Sequence, residues 1–65
     1  MAATELIAGR RVVFERDEDG LHAFCPELKG CHSFGKTLAD AQRNIAEAIA
    51  LWLESARDLG LVEGA

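Results

Sequence analysis

The chain has 65 residues, of which 49% are hydrophobic, and a formal net charge of −4. This length allows a single domain, residues 1–65, and a domain so short buries only about 60% of the surface that its unfolded chain exposes. We therefore expect further copies to associate and supply stability. The seven Lys and Arg residues are scattered, which argues against a general electrostatic footprint for nucleic acid, so no direct DNA binding is expected.

The chain shows no pattern of a targeting or membrane segment. Residues 1–9 contain an acid, Glu5, and no apolar core of signal-peptide length. The longest apolar run, Ala48–Leu53, is far below the ~18 residues that a membrane span needs. We expect a cytoplasmic protein without membrane contacts, in which thiols normally stay reduced.

Three strand-like runs come first along the chain. Arg11–Arg16 and Leu21–Cys25 are rich in strand-forming residues, and Asp19-Gly20 between them is typical of a tight hairpin turn. Cys31–Phe34 is a third, weaker strand. Residues 1–10 fit either a frayed end or an extension of the first strand.

A long amphipathic helix follows the strands. Thr37 is a good N-cap, with Asp40 three residues later in a variant of the capping box, and Gly60 is a natural C-terminal stop. Apolar residues recur at helical spacing between these signals. The predicted stripe consists of Leu38, Ala41, Ile45, Ala48, Ile49, Trp52, Ala56 and Leu59. The sequence therefore predicts an α+β fold in which a three-stranded antiparallel sheet precedes one helix over residues 38–59, in the order β-β-β-α.

One helix can cover only one face of such a sheet. A two-residue turn at Asp19-Gly20 would pair residue 14 with residue 25 and residue 16 with residue 23. Val12, Phe14, Leu21, Ala23 and Cys25 would then face the helix, while Val13, Glu15, His22 and Phe24 would lie on the other face. A loop one residue longer would exchange the faces of one strand. In either register, some apolar sheet surface has no cover within the chain.

The residues that could carry chemistry do not form a recognisable catalytic or metal site. His22, Cys25, Cys31 and His32 could in principle bind zinc, but each His lies on the opposite strand face from its neighbouring Cys. A Cys25–Cys31 disulfide is conceivable but disfavoured in a reducing compartment. We expect no catalytic residue, metal or cofactor, and no enzymatic activity.

Two further motifs have simple structural interpretations. The run from Gly30 to Thr37 matches the phosphate-binding pattern G-x₄-G-K-T by letter, but its central residues are typical of a strand rather than a loop. Asp17-Glu18-Asp19 is interpreted as a solvated turn.

The segment from Val12 to Leu53 resembles the HicB-like antitoxin family. The resemblance rests on Asp19-Gly20, on the loop from Pro26 to Cys31, and on the run from Gly35 to Ala41 with the helix that continues it. It implies a partial ribonuclease-H-like fold, oligomerisation, and neutralisation of a small mRNA-cleaving toxin of the HicA type. Full-length members often carry a C-terminal DNA-binding module, and the chain ends at Ala65, so autoregulation by operator binding is not expected.

These expectations define a candidate interface and its alternatives. The partner or oligomer patch consists of His22, Phe24, His32 and Phe34 on the sheet, with Leu51 on the helix. Phe24 is nearly as well explained as a core residue. A basic toxin could instead contact the acidic helix face around Asp40, Glu47 and Asp58. The alternatives are a small RNA-binding module of double-stranded-RNA-binding-like topology, for which the basic residues are too few, and an orphan oligomeric domain without a toxin.

Overall fold

The computed structural model describes residues 2–58, which form one antiparallel sheet and one helix. The strands lie side by side in chain order, and the helix follows them. The elements are β1 (Ala2–Ile7), β2 (Arg10–Asp17), β3 (Gly20–Phe24), β4 (His32–Gly35) and α1 (Leu38–Asp58). The predicted α+β class is confirmed, with a sheet of four strands rather than three.

The additional strand, β1, comes from the segment that fitted either a frayed end or an extension of the first strand. It turns back at Ala8 and Gly9, which both have positive φ (53° and 78°), and pairs antiparallel with β2. Positive φ at both central residues of a two-residue turn is the hairpin geometry that matches strand twist. The usual Asn-Gly signal for such a turn is absent from the sequence, because Ala8, which rarely adopts positive φ, occupies the first turn position.

The hairpin between β2 and β3 has a register that differs from the predicted one. Asp17 pairs with Gly20, and Phe14 pairs with Ala23 rather than with Cys25. The Asp17 carboxylate Oδ1 accepts hydrogen bonds from the N–H groups of Asp19 (2.8 Å) and Gly20 (3.2 Å), which places the turn at residues 18–19. The predicted pairings 14–25 and 16–23 were therefore wrong by two residues. Because two residues are one full period of a strand, the assignment of faces is unaffected.

The core lies between α1 and the sheet face that it covers. All five residues predicted for that face are at most 6% exposed. From the helix, Ala41, Ile45, Ile49 and Ala56 are buried, and Trp52 packs against the cluster. Leu38 falls on the predicted stripe, seven residues before Ile45, but is 42% exposed because it lies in the first turn of the helix, before the buried positions begin. The predicted Leu59 and Gly60 helix end lies outside the described residues.

The start of α1 is determined by a cap and by a close approach to β4. Thr37 Oγ1 accepts a hydrogen bond from the Asp40 N–H (3.1 Å), as predicted for an N-cap. The Asp40 carboxylate accepts from Arg43 (2.8 Å). A Cβ atom on Gly35 would lie 2.2 Å from the backbone nitrogen of Ala41. Only glycine therefore permits this distance between strand and helix.

The loop between β3 and β4 is closed by backbone hydrogen bonds. The Cys25 N–H donates to the Cys31 carbonyl (3.0 Å), and Leu28 bonds to both cysteines through its backbone. Trp52 Nε1–H donates to the Lys29 carbonyl (2.9 Å), so α1 holds the loop from outside. The strand that follows begins at His32, one residue later than predicted. The run from Gly30 to Thr37, which matches the phosphate-binding pattern by letter, thus consists of a loop end, a strand and a helix cap. This agrees with the interpretation of its central residues as a strand.

Candidate protein interface on the outer sheet face

The sheet face turned away from α1 is formed by alternate residues of the strands. We call it the outer sheet face. On β2, β3 and β4 it includes Arg11, Val13, Glu15, His22, Phe24, His32 and Phe34. Each of these residues is half-buried or exposed, whereas their neighbours on the covered face are mostly buried. The structure therefore brings four of the five predicted interface residues onto one surface.

Two cross-strand pairs form the centre of the outer sheet face. His22 lies directly opposite Phe34, and Phe24 lies directly opposite His32. The His22 and Phe34 rings are 5.0 Å apart between centroids, at an angle of 61°. Edge-to-face geometry of this kind is the favourable arrangement for aromatic rings, and it orients both side chains. The result is a diagonal arrangement of two phenylalanines and two imidazoles.

Phe24 lies on the outer sheet face and is half-buried by its neighbours. It is not one of the buried residues that form the core cluster with α1. The core alternative for Phe24 therefore does not fit the structure. Partial burial in a rigid sheet leaves an aromatic surface already ordered, which lowers the entropic cost of covering it.

Asp17 connects the hairpin turn to the outer sheet face. Its Oδ2 lies 2.6 Å from His22 Nε2. The pKa of the Asp17 carboxyl lies below its usual value of 3.8, mainly because the Asp19 N–H donates a hydrogen bond to it. His22 and the Gly20 N–H also lower this pKa, whereas desolvation raises it. The sequence predicted Asp17-Glu18-Asp19 to be a solvated turn. This explains why Asp17 is exposed, but it did not predict that Asp17 orients His22.

Leu51 lies apart from the other predicted interface residues. It is 59% exposed on α1 and lines a mostly apolar groove between the helix and the start of β4. His32 and Trp52 line the same groove, so it adjoins the outer sheet face at one residue only. Leu51 thus lies outside the covered side of the helix, and the structure gives it no place among the four sheet residues.

The cysteines and histidines are separated by the sheet. Cys25 and Cys31 are buried as free thiols on the helix side, and His22 and His32 are exposed on the other side. No group of three or more potential ligands converges among residues 2–58. Burial raises the pKa of the Cys31 thiol, and the neighbouring Cys25 adds to the effect, so the thiol form is favoured there.

The exposed face of α1 carries a second, acidic surface. Glu47, Glu54 and Asp58 are exposed, whereas Asp40 makes an ion pair with Arg43 (2.8 Å). Gln42 and Asn44 are turned toward the sheet instead. Gln42 Nε2 donates to Glu5 (2.8 Å), and Asn44 Nδ2 donates to the Phe34 carbonyl (2.8 Å). The Asn44 side chain thus binds the outward edge of β4.

A large apolar residue of the outer sheet face was not predicted from the sequence. Leu6 of β1 lies opposite Arg11 and is 75% exposed. Its face could be assigned only once β1 was known to be a strand paired with β2. The sequence signal for this face was weak, because Leu6 and Ile7 are adjacent apolar residues that do not alternate with polar ones. In the structure, Ile7 packs against the core and Leu6 points away from it.

No helix within residues 2–58 is both long and apolar enough to span a membrane.

Comparison with known proteins gives a family and several relatives. Residues 11–63 match the family model described as HicB_like antitoxin of bacterial toxin-antitoxin system. The chain is similar to a UPF0150 protein of Synechocystis sp., with 58% identity over 45 residues, which are 68% of this chain and 57% of that protein. It is also similar to a UPF0150 protein of Helicobacter pylori, with 58% identity over 41 residues, which are 63% of this chain and 57% of that protein. The matched segment thus spans little more than half the length of these relatives. No solved structure gave a significant match.

Proposed function

The chain belongs to the HicB-like antitoxin family, and we propose that it neutralises a small, basic, mRNA-cleaving toxin of the HicA type by forming a direct complex with it. In this proposal the chain is a protein-binding module without a catalytic role of its own. The nuclease chemistry belongs to the toxin, and the complex forms in the cytoplasm, where messenger RNA is cleaved.

The observation that carries the proposal is the composition of the outer sheet face. A face that only contacts water in an antiparallel sheet is normally polar. Here Val13, Phe24 and Phe34 interrupt the polar residues, and Phe34 remains 36% exposed. Aromatic residues are enriched at the centres of protein interfaces because they bring a large contact area at a small entropic cost. The outer sheet face therefore has the composition of a binding surface.

Charge supports a basic partner. The chain has a net charge of −4, and Glu15 and Asp17 lie beside His22 on or next to the outer sheet face, whereas the basic Arg11 lies on the same face toward β1. Acidic groups around an aromatic centre attract a positively charged protein and disfavour a negatively charged one. Complementary charge of this kind gives orientation and speed of association, while the aromatic centre gives most of the affinity.

Substitution at the centre of the outer sheet face tests the proposal. Phe24→Ser and Phe34→Ser should each weaken the complex with a purified HicA-type toxin about fivefold or more, because loss of a central aromatic hot-spot residue costs over about 1 kcal/mol. Binding is measured by calorimetry, and circular dichroism checks that the fold is retained. Leu51→Ser on the helix is the matched control, and it should bind as the unchanged chain does.

RNA cleavage gives the functional readout. We expect the purified chain alone to leave RNA intact, and a molar excess of it to protect RNA from the toxin. The two Phe variants should lose this protection. Unchanged protection by correctly folded Phe24→Ser and Phe34→Ser, together with its loss in Glu47→Lys, would place the toxin on the acidic helix face. RNA cleavage by the chain that disappears in His22→Ala would refute the non-catalytic role.

A further inference from the structure

The two edges of the sheet differ in how far they are covered. At the β4 edge, α1 packs alongside and the Asn44 side chain binds the Phe34 carbonyl. The other edge is β1, six residues long from Ala2 to Ile7, and it has no strand beside it among residues 2–58. An uncovered strand edge presents a row of unpaired N–H and C=O groups to another chain.

The backbone groups that β1 presents outward follow from the alternation of hydrogen bonds in an antiparallel sheet. In the turn at residues 8–9, Ile7 and Arg10 are the closing pair, so both direct their N–H and C=O groups toward each other. Every second residue back along β1, Glu5 and Ala3, also bonds to β2. The N–H and C=O groups of Ala2, Thr4 and Leu6 therefore point away from the sheet.

An independent contact at the far side of the sheet confirms this alternation. The Cys25 N–H donates to the Cys31 carbonyl, so residues 25 and 23 bond toward β4, and residues 24 and 22 bond toward β2. Phe34, opposite residue 22, must then direct its carbonyl outward. It does so, because that carbonyl accepts the hydrogen bond from Asn44.

β1 lacks the features by which natural edge strands prevent pairing. Such edges usually carry a lysine, a proline or a bulge, or a charge pointing into the edge. The strand reads Ala-Ala-Thr-Glu-Leu-Ile, and its one charged residue, Glu5, is turned to the helix side and bonded to Gln42 (2.8 Å). Leu6, at the outward edge, is 75% exposed.

We propose that β1 pairs antiparallel with β1 of a second copy, about a two-fold axis at Thr4. Thr4 then lies opposite Thr4, and Ala2 lies opposite Leu6, so all three outward residues of each copy are paired through about six hydrogen bonds. Glu5 lies opposite Ala3, so no like charges face each other. This self-complementary register favours a second copy over an unrelated strand.

The pairing has a consequence for the outer sheet face. Directly opposite residues in an antiparallel sheet share a face, so the two outer sheet faces join into one surface on a continuous sheet, and both helices lie on the other side. The dimer leaves the four central residues of each face accessible. The inference does not rest on the proposed function, since self-association and toxin binding are measured separately.

Thr4→Pro is the sharpest test, because proline removes the outward N–H and leaves the ladder to β2 intact. Light scattering at micromolar concentration should give twice the chain mass of 7.0 kDa for the unchanged protein and a single chain mass for Thr4→Pro, with the circular dichroism spectrum retained. Thr4→Val keeps the N–H and the branched side chain and should remain a dimer. Leu6→Lys is a second variant that places a charge on the edge, and it should also give a single chain mass.

Hydrogen exchange tests the register itself. The Thr4 and Leu6 amides should be protected in the dimer and lose protection on dilution, whereas the Ala3 and Glu5 amides should stay protected at both concentrations. A single chain mass for the unchanged protein at about 100 µM would overturn the proposal. A dimer that persists in both Thr4→Pro and Leu6→Lys but dissociates in Phe34→Ser would also overturn it, since the copies would then associate through the outer sheet face.

Discussion

Single residues determine local geometry here through backbone contacts that hydrophobic patterning does not reveal. Asp17 is the clearest case. Its carboxylate accepts two backbone hydrogen bonds in the turn and contacts His22 Nε2 at 2.6 Å. One side chain thus places the turn at residues 18–19 and orients an imidazole on the outer sheet face. The acidic turn is solvated, and it is also ordered.

The pH dependence of stability tests the role of Asp17. Because its pKa is lowered in the folded chain, mainly by the Asp19 N–H, its contribution is present above the unfolded value and is lost as the pH falls through the folded value. The free energy of unfolding should therefore fall as the pH drops below about 4, by more in the unchanged chain than in Asp17→Asn. Chemical denaturation at several pH values measures this.

Glu18→Gln is the matched control, because it removes the adjacent turn carboxylate, which makes no hydrogen bond or ion pair among residues 2–58. It should retain the pH dependence. Equal slopes for Asp17→Asn and the unchanged chain would show that the turn contacts of Asp17 do not stabilise the fold.

At the scale of elements, the contact between β4 and α1 depends on a missing side chain. Gly35 ends the strand, and Thr37 begins the helix two residues later, so the chain must reverse direction within a very short distance. The helix backbone at Asp40 and Ala41 occupies the space where a Cβ atom of residue 35 would lie. The glycine thus permits the tight packing that places Ala41, Ile45 and Ile49 over the sheet.

Gly35→Ala should destabilise the chain for this steric reason. A Cβ atom 2.2 Å from the Ala41 nitrogen cannot be accommodated without moving the helix, and overpacking of this kind typically costs about 1–3 kcal/mol. The free energy of unfolding from urea denaturation measures the effect. Ser33→Ala on the same strand is the control, with an expected change within about 0.5 kcal/mol. A Gly35→Ala variant as stable as the control would show that α1 can shift without loss of packing.

At the scale of the whole molecule, one helix covers one sheet face, and everything else that the chain does must use the remaining surfaces. Within residues 2–58, they include the aromatic outer sheet face, the β1 edge, the acidic side of α1 and the groove beside Leu51. The β1 edge presents backbone groups and meets the outer sheet face at Leu6. Under the two proposals, a second copy paired at the edge leaves the four central residues of the face accessible to a toxin. The negative charge of the chain acts on both, attracting a basic toxin and opposing the approach of another copy.

Salt should therefore slow association with the toxin without weakening association between copies. Raising the ionic strength from about 50 mM to about 500 mM should slow association with a HicA-type toxin roughly tenfold while changing its dissociation rate little, since long-range attraction is screened. Dimerisation should be unchanged or slightly strengthened over the same range. Surface plasmon resonance and light scattering measure the two effects. A toxin association rate independent of salt would contradict electrostatic attraction.

Comparison of sequence and structure shows which features are local. The Thr37 cap, the helix and the allocation of alternate strand residues to two faces were predicted correctly, because each depends on a side chain and its near neighbours along the chain. The face of Phe24 is an example: the register prediction was wrong by two residues, yet the period of a strand preserved the face.

The sequence by itself determined the family resemblance, the α+β class and the identity of the four sheet residues on the outer sheet face. The tertiary structure alone decided that residues 2–7 form a strand, because their Ala-rich pattern is weak until β2 supplies hydrogen-bond partners. It also decided that Asn44 binds the β4 edge, that Leu51 lies apart from the sheet residues, and that Gly35 meets Ala41. These features depend on distances between elements, which local propensity and periodicity do not contain.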